Sequence, residues 1–214
     1  MAYNIHNIKN FTVMDREIYF LDSNVWIWYL MAEQFGDDIL KKDKEKWKKQ
    51  KYYVEFVRSI VTLNAYTDKK AIKTLTHQPK IVLTSLLISE LINRYLRLSM
   101  EDHIDSLETA KERNEYTFKK FRDTLYYQEQ HRYIISVFQE MSHLLHFIDD
   151  EFNALKPLEL LANLTDKYDF NDFYYYNLLK NKNITIVTDD GDFKFEDMEI
   201  VTYRYDLINL NKRM

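Results

Sequence analysis

The sequence predicts an α/β protein in which helices flank a short parallel β-sheet. Three short apolar runs, at residues 17–22, 80–83 and 184–188, have the length of buried strands. Stretches with apolar residues at helical spacing separate these runs, and strand–helix–strand alternation indicates parallel pairing. Residues 199–202 predict a fourth, short strand. The expected order is therefore strand, helices, strand, helices, strand and a last short strand.

The helices are predicted from capping residues and apolar spacing. Ser23 or Asn24 can cap a helix that follows the first apolar run. Thr84 or Ser85 can cap a helix that follows the second run and reaches about residue 98. Residues 68–80 are polar and are expected to be irregular. The remaining helices are expected at 37–65, across 101–148 as one or two long amphipathic helices, at 157–164 and at 171–180.

Composition narrows the classes of function. The chain has 214 residues, a net charge of −4, no cysteine and two isolated glycines, Gly36 and Gly191. These counts exclude disulfides, thiolate metal sites and the Gly-rich phosphate loops of Rossmann and P-loop proteins. No apolar run is long enough for a membrane helix, and the N-terminus lacks the pattern of a secretory signal. We expect one cytoplasmic domain over residues 1–214, with helical extensions at about 37–66 and 100–150.

Carboxylates stand near the predicted strand ends. Asp22 closes the first apolar run and Asp190 follows the third. Asp172 lies in the first turn of the helix before that third run, and Glu90 lies two turns into the helix after the second. Ligands of open α/β sheets bind beyond the carboxyl ends of the strands, and Mg²⁺ or Mn²⁺ prefers the oxygen ligands that such acids offer. Because a bound cation can activate water and hold a phosphate oxygen, the set predicts phosphodiester hydrolysis.

Four motifs, in their order and spacing, resemble those of the PIN-domain family. They are Ile18-Tyr-Phe-Leu-Asp22-Ser-Asn24, Ser85-Leu-Leu-Ile-Ser-Glu90, Asn171-Asp172 at a helix start, and Thr188-Asp-Asp190-Gly-Asp192-Phe193. The resemblance covers about residues 16–36, 80–98 and 165–205. The stretches at 40–78 and 100–150 exceed a compact PIN domain.

The resemblance implies a Mg²⁺- or Mn²⁺-dependent endoribonuclease with a PIN-like α/β fold. Its metal ligands would be Asp22, Glu90, Asp172 and Asp190. Asp192 is equally well a further ligand or a turn residue, while Asn24 and Thr188 would orient the ligands or a water. Many bacterial members are VapC-type toxins held inactive by an antitoxin. The expected partners are therefore RNA, an antitoxin protein and a second copy of the chain, with no membrane.

Each acid also has a simpler structural interpretation. Asp22 can cap the helix that follows it, and Glu90 can face solvent. Asp172 can be a favourable acid in the first helical turn, with Asp169 as its N-cap. For Asp189 we expect the role of a turn carboxylate rather than that of a ligand.

Two further stretches have alternative interpretations. The basic run Lys41–Lys51 is either a solvated helix face or an approach for RNA phosphates, with Lys44, Lys48 and Lys51 as candidate contacts. The aromatic segment at 170–176 favours core packing over stacking with bases. Two other classes of function remain: a catalytically inactive PIN-like module that binds RNA or protein, and a helical scaffold in which the acids are incidental.

Overall fold

The α/β fold class predicted from the sequence is confirmed. The structure is a computed structural model that describes residues 3–13, 17–37, 44–70 and 78–212. Its strands are β1 (Asn4–Asn7), β2 (Ile18–Leu21), β3 (Lys80–Leu83), β4 (Leu145–Phe147), β5 (Thr185–Val187) and β6 (Glu199–Thr202). Its α-helices are α1 (Ser23–Phe35), α2 (Lys44–Lys70), α3 (Ser85–Asp105), α4 (Ala110–Asn114), α5 (Phe118–Arg122), α6 (Leu125–Glu140), α7 (Pro157–Asn163), α8 (Phe170–Leu179) and α9 (Tyr205–Ile208).

The strands form one parallel sheet in the order β1-β6-β5-β2-β3-β4. β2 is central, and its Leu21 lies opposite Val187 of β5. Phe20, Leu21 and Val187 are almost completely buried, as expected for a parallel sheet covered on both faces. The carboxyl ends of β2 and β5 therefore lie side by side at one edge of the sheet.

Two strands are missing from the sequence-based prediction. β1 lies in a lead that carries no apolar run, and β4 lies inside the region predicted to be helical, so the prediction of helix through residue 148 is wrong. Both are edge strands. Asn4, His146 and Phe147 are exposed. β1 has one buried residue, Ile5, and β4 has one, Leu145. Because so few residues of these edge strands are buried, the strands contain no apolar run. The sequence therefore gave no sign of them.

The long helices predicted across 101–148 are also wrong, because this region contains several shorter ones. α3 ends at Asp105. Thr109, Thr117 and Thr124 then act as the N-caps of α4, α5 and α6, and each side chain accepts a backbone N–H of the new helix. Threonine favours the N-cap because its hydroxyl satisfies one of the free donors at a helix start.

The second helix also differs from its predicted limits. α2 continues to Lys70, so the expected irregular stretch does not begin at residue 68. Residues 71–77 lie outside the described part of the chain, as do residues 38–43 before this helix.

The chain divides into two compact units, and each is described by itself. Met1–Ser85 and Leu144–Met214 form the unit that contains the sheet, and Leu86–His143 forms the other. Inside the second unit, the buried Tyr95 hydroxyl donates to Gln130 at 2.7 Å. The single domain with helical extensions stays a prediction. No helix in the described ranges combines the length and apolar character that a membrane span needs.

Candidate acidic site at the carboxyl edge of the sheet

The neighbouring strands β2 and β5 place Asp22 and Thr188 side by side at the carboxyl edge of the sheet. The Asp22 N–H donates to the carbonyl oxygen of Val187 at 3.0 Å, which extends the strand pairing by one residue. The Thr188 hydroxyl donates to Asp22 Oδ2 at 2.6 Å, and Thr188 is fully buried. A short hydrogen bond from a buried hydroxyl fixes the direction of a carboxylate. Thr188 therefore orients Asp22.

Asp22 is also the N-cap of α1, so its simpler structural interpretation is confirmed. Its Oδ1 atom accepts the backbone N–H of Asn24 at 3.1 Å and lies 3.3 Å from the Ser23 hydroxyl. One carboxylate thus has an oxygen directed at the helix start and an oxygen held by Thr188. Capping and a role in a site are compatible, because each carboxylate oxygen can accept more than one interaction.

The loop after β5 ties Asp190 to the same hydroxyl. The backbone N–H of Asp190 donates to Thr188 Oγ at 2.8 Å, and the N–H of Asp192 donates to Asp190 Oδ1 at 2.9 Å. Asp190 is half-buried, whereas Asp192 is exposed. The Thr188 hydroxyl consequently links Asp22 to the backbone that carries Asp190.

Asp172 lies in the first turn of α8, where the Asp169 side chain caps the helix and accepts the Asp172 N–H at 2.9 Å. Burial first, and then four neighbouring carboxylates, raise the pKa of Asp172 to about 8; these neighbours are Asp169, Asp190, Asp22 and Asp192. Two of these neighbours, Asp22 and Asp190, come from the ends of separate strands. Acids from three distant segments therefore act on one another at this edge of the sheet, and without a cation Asp172 is mostly protonated at pH 7.

The donor chemistry of this acidic site fits a hard divalent cation, because Mg²⁺ and Mn²⁺ favour carboxylate oxygens. Within the described ranges, however, no three histidine, aspartate or glutamate side chains lie close enough together to hold one metal ion. Three of these carboxylates would have to draw closer than they lie here to bind one cation together.

Glu90 belongs to the second compact unit, where it lies in the second turn of α3 and is half-buried. Its neighbours Leu87 and Leu91 are fully buried. Its role as a metal ligand stays a prediction. The same holds for the side chain of Asn24, which is half-buried in the first turn of α1.

Tyr53 of α2 is a candidate that the sequence did not single out. It is fully buried, and its hydroxyl lies 3.0 Å from both Asp189 Oδ1 and the Thr188 carbonyl oxygen. The same hydroxyl accepts the backbone N–H of Tyr203 at 2.8 Å. Burial, then the charge of Asp189, raises the pKa of Tyr53, so it stays a neutral donor. Tyr53 therefore fastens the acidic loop to α2. In the sequence Tyr53 is one of many aromatic residues with the spacing of core positions, so nothing in the sequence marked it as part of a site.

The Asp189 carboxylate is directed at Tyr53 and has cations near it. Burial is the largest cause of its raised pKa, which the Tyr53 hydrogen bond, Lys49 and Arg204 oppose. Arg204 Nη1 donates to the Asp189 carbonyl oxygen at 3.3 Å. A Cβ atom on Gly191 would lie 2.7 Å from Arg204 Nη2, so the guanidinium packs directly on this glycine. Lys49 and Arg204 thus place positive charge beside the acidic loop.

The three lysines predicted to contact RNA have different surroundings. Lys51 is exposed and pairs with Glu55 at 3.4 Å, and Lys48 is exposed. The side chain of Lys44 lies outside the described part of the structure, as do residues 41–43. The contact of these three lysines with RNA stays a prediction. Lys49, in the same basic run Lys41–Lys51, has a charge that acts on Asp189.

The aromatic segment around α8 packs as a core, which confirms that interpretation for several of its residues. Tyr174 and Tyr175 are almost completely buried. Tyr176 stacks on Phe195, with ring centroids 4.0 Å apart and planes inclined by 8°.

No protein-family model, curated protein or solved structure matches this chain.

Proposed function

We propose that this chain is a Mg²⁺- or Mn²⁺-dependent endoribonuclease with a PIN-like acidic site. The convergence of Asp22, Asp172 and Asp190 at the carboxyl edge of the sheet carries the proposal. Burial of Asp172 and, after it, repulsion from the neighbouring acids make its ionised form costly without a cation, and both raise its pKa. Edges of this kind are where open α/β sheets bind their ligands.

The residues that would hold the cation are Asp22, Asp172 and Asp190, with Glu90 as the fourth ligand expected from the resemblance. When bound, a divalent cation supplies a water of lowered pKa and positive charge for the phosphate oxygens. Thr188 keeps Asp22 directed into the site through Oδ2. Asp172 holds a proton at its carboxylate below pH 8, and it must lose that proton to act as a ligand.

The surroundings of the acids favour a polyanionic substrate. Lys49 lies beside the acidic loop, and α2 carries further exposed lysines. Arg204 also lies beside the loop, where it pairs with Asp206 at 2.9 Å. Cations around an acidic centre attract the phosphates of a nucleic acid while the centre itself binds metal. A toxin role with an antitoxin partner rests on the motif resemblance alone. Expression of the wild-type chain in bacteria should then arrest growth, and expression of Asp172→Asn should not. Normal growth with the wild-type chain would remove the toxin role and leave the nuclease proposal unaffected.

The alternative is a PIN-like module that binds RNA or a protein without cleaving it. The spacing of the acids favours it, since no three of them in the described ranges are close enough to hold one ion. Both functions are compatible with the same fold. They differ in whether the protein cleaves the RNA that it binds.

Cleavage of end-labelled single-stranded RNA distinguishes the two. With Mn²⁺ the wild-type protein should cleave, and excess EDTA should abolish the reaction. Asp22→Asn should lower the rate by at least about 100-fold, since it removes one ligand charge and keeps the side-chain shape. The exposed Asp197 offers a matched control, and Asp197→Asn should cleave like wild type. Cleavage that persists in EDTA would contradict the proposal, and binding without cleavage would establish the alternative.

A further inference from the structure

We infer that a cavity beside the acidic site binds one nucleotide of an unpaired strand, with its base against Tyr52 and its phosphate on Lys9. The inference rests on the proposed function and deepens it, because it assigns the substrate as single-stranded and places the nucleotide next to the phosphate that is cleaved. Three observations support this inference. They are the residues that line the cavity, the position of Lys9 beside two tyrosine rings, and the hydrogen bonds that join this region to the acidic loop.

The cavity lies along α2 and the segment that follows β1, and its volume is about 610 Å³. This is within the usual range of about 300–1,000 Å³ for small-molecule sites. Three aromatic side chains and three aliphatic hydroxyl groups contribute to its walls, from Phe11, Tyr52, Phe56, Thr12, Ser59 and Thr62. Aromatic surface with a few hydrogen-bonding groups suits a nucleobase, which has a flat apolar face and a polar edge.

Lys9 lies beside a stacked pair of tyrosines. The rings of Tyr52 and Tyr203 are 5.1 Å apart and inclined by only 14°. Lys9 Nζ is 5.0 Å from the first centroid and 4.8 Å from the second, so the three points form a nearly equilateral triangle. An ammonium over the outer face of one ring would be farther from the other. Lys9 therefore lies at the side of the pair, and its charge is next to the cavity wall that Tyr52 forms.

The charge balance of the cavity singles out Lys9. Arg58 is neutralised by Glu33 at 2.8 Å and by Asp37 at 2.9 Å. Glu55 pairs with Lys51 at 3.4 Å.

Lys9 is exposed, and among the residues that the structure describes no carboxylate lies within ion-pair distance of it. Among the described residues that line this cavity, the positive charge available to a phosphate is therefore that of Lys9.

Two hydrogen bonds join the tyrosine pair to the acidic loop. The backbone N–H of Tyr203 donates to the Tyr53 hydroxyl at 2.8 Å, and that hydroxyl lies 3.0 Å from Asp189 Oδ1. Tyr52 and Tyr53 are consecutive in α2, so the cavity wall and the anchor of the acidic loop belong to the same helical turn. A strand with one base in the cavity would thus lie next to the helix that anchors the acidic loop. A base in a duplex is paired and stacked and cannot enter, so the site selects an unpaired strand.

The test is the affinity of the protein for a fluorescent RNA of about ten nucleotides, a length within the site sizes of single-strand binders. The RNA is methylated at every 2′-oxygen, and binding is measured by anisotropy in EDTA, so that cleavage does not interfere. Tyr52→Ala should weaken binding by about 5- to 100-fold, whereas Tyr52→Phe keeps the ring and should bind like wild type. A duplex of the same sequence should bind equally well to both variants.

Lys9→Gln gives a second readout at an exposed side chain. It should flatten the slope of log affinity against log salt by about 0.7, the contribution of one phosphate contact to a single strand. Lys111→Gln removes the same charge from the exposed surface of the other unit and should leave the slope unchanged. If Tyr52→Ala does not fold, the comparison of the salt slopes of Lys9→Gln and Lys111→Gln tests the inference.

Equal affinities for Tyr52→Ala and Tyr52→Phe, together with equal slopes for Lys9→Gln and Lys111→Gln, would overturn the inference. Absence of binding to the single-stranded probe would overturn it as well. The expected losses in a protein that cleaves no RNA with Mn²⁺ would support the nucleotide site and contradict the nuclease proposal, so the two failures are distinguishable.

Discussion

Asp172→Asn should make the metal-free protein more stable at neutral and high pH. The pKa of Asp172 rises from its ordinary 3.8 to about 8 in the folded chain, first through burial and then through neighbouring carboxylates. The folded state consequently binds this proton more tightly than the unfolded state does. Stability therefore falls as pH rises from about 4 through about 8, and the loss is complete above that range. Asparagine cannot ionise, so the variant lacks this loss.

The size of the effect follows from the width of that pH window. Each pH unit corresponds to about 1.4 kcal/mol, which sets a ceiling of about 6 kcal/mol for a window of roughly four units. Asp172 is only half-buried, and solvent screening lowers the figure to about 2–3 kcal/mol. For a chain of this size each kcal/mol changes the melting temperature by about 2–4 °C. The variant should then melt about 4–12 °C above wild type at pH 9 and close to wild type at pH 5.

Differential scanning fluorimetry in EDTA from pH 5 to pH 9 measures this difference. Asp197→Asn removes one negative charge from an exposed position and should follow wild type at every pH. A gap between Asp172→Asn and wild type that stays constant across this range would refute the reasoning, because a constant gap reports lost contacts and not titration. A wild-type protein whose stability does not fall with pH would refute it too.

Three further predictions concern the loop and α2. Tyr53→Phe leaves the half-buried backbone N–H of Tyr203 without this acceptor and should cost about 1–3 kcal/mol of unfolding free energy in urea titrations. An unchanged midpoint would show that the hydroxyl does not hold the loop. Asp190→Asn should lower the rate of RNA cleavage by orders of magnitude, while Asp189→Asn keeps an acceptor for Tyr53 and should be mild; the reverse order would show that the other acid of the pair belongs to the site. Replacement of the three α2 lysines predicted to contact RNA should flatten the salt dependence of RNA affinity by no more than about 2; an unchanged slope would make the run a solvated helix face.

The strands predicted from the sequence are those in which nearly every residue is buried. β2, β3 and β5 are recognisable because strands covered on both faces are continuous apolar runs. β1 and β4 were missed because an edge strand buries only part of its surface. The helical spacing over 101–148 was real, but it could not reveal where threonine caps end one helix and begin the next.

Only part of the candidate site could be predicted from the sequence, namely the part that follows from the order of the strands and acids along the chain. Parallel strands end at one edge, so Asp22 and Asp190 could be expected to lie together. The buried hydroxyl of Thr188, which links the two, was expected from the motif resemblance. Tyr53 and Arg204 were not predictable, because their contacts with the acidic loop depend on how α2 and the segment after β6 pack in three dimensions.

The most direct test of the central claim is the position of a bound Mn²⁺ ion. Crystals grown without metal and soaked in Mn²⁺ at pH 8.5, above the pKa of Asp172, would give anomalous density at the manganese edge. We predict one strong peak whose ligands include the carboxylates of Asp22 and Asp172. A peak elsewhere on the molecule, or no peak between these two carboxylates, would contradict the assignment of this edge of the sheet as a metal site.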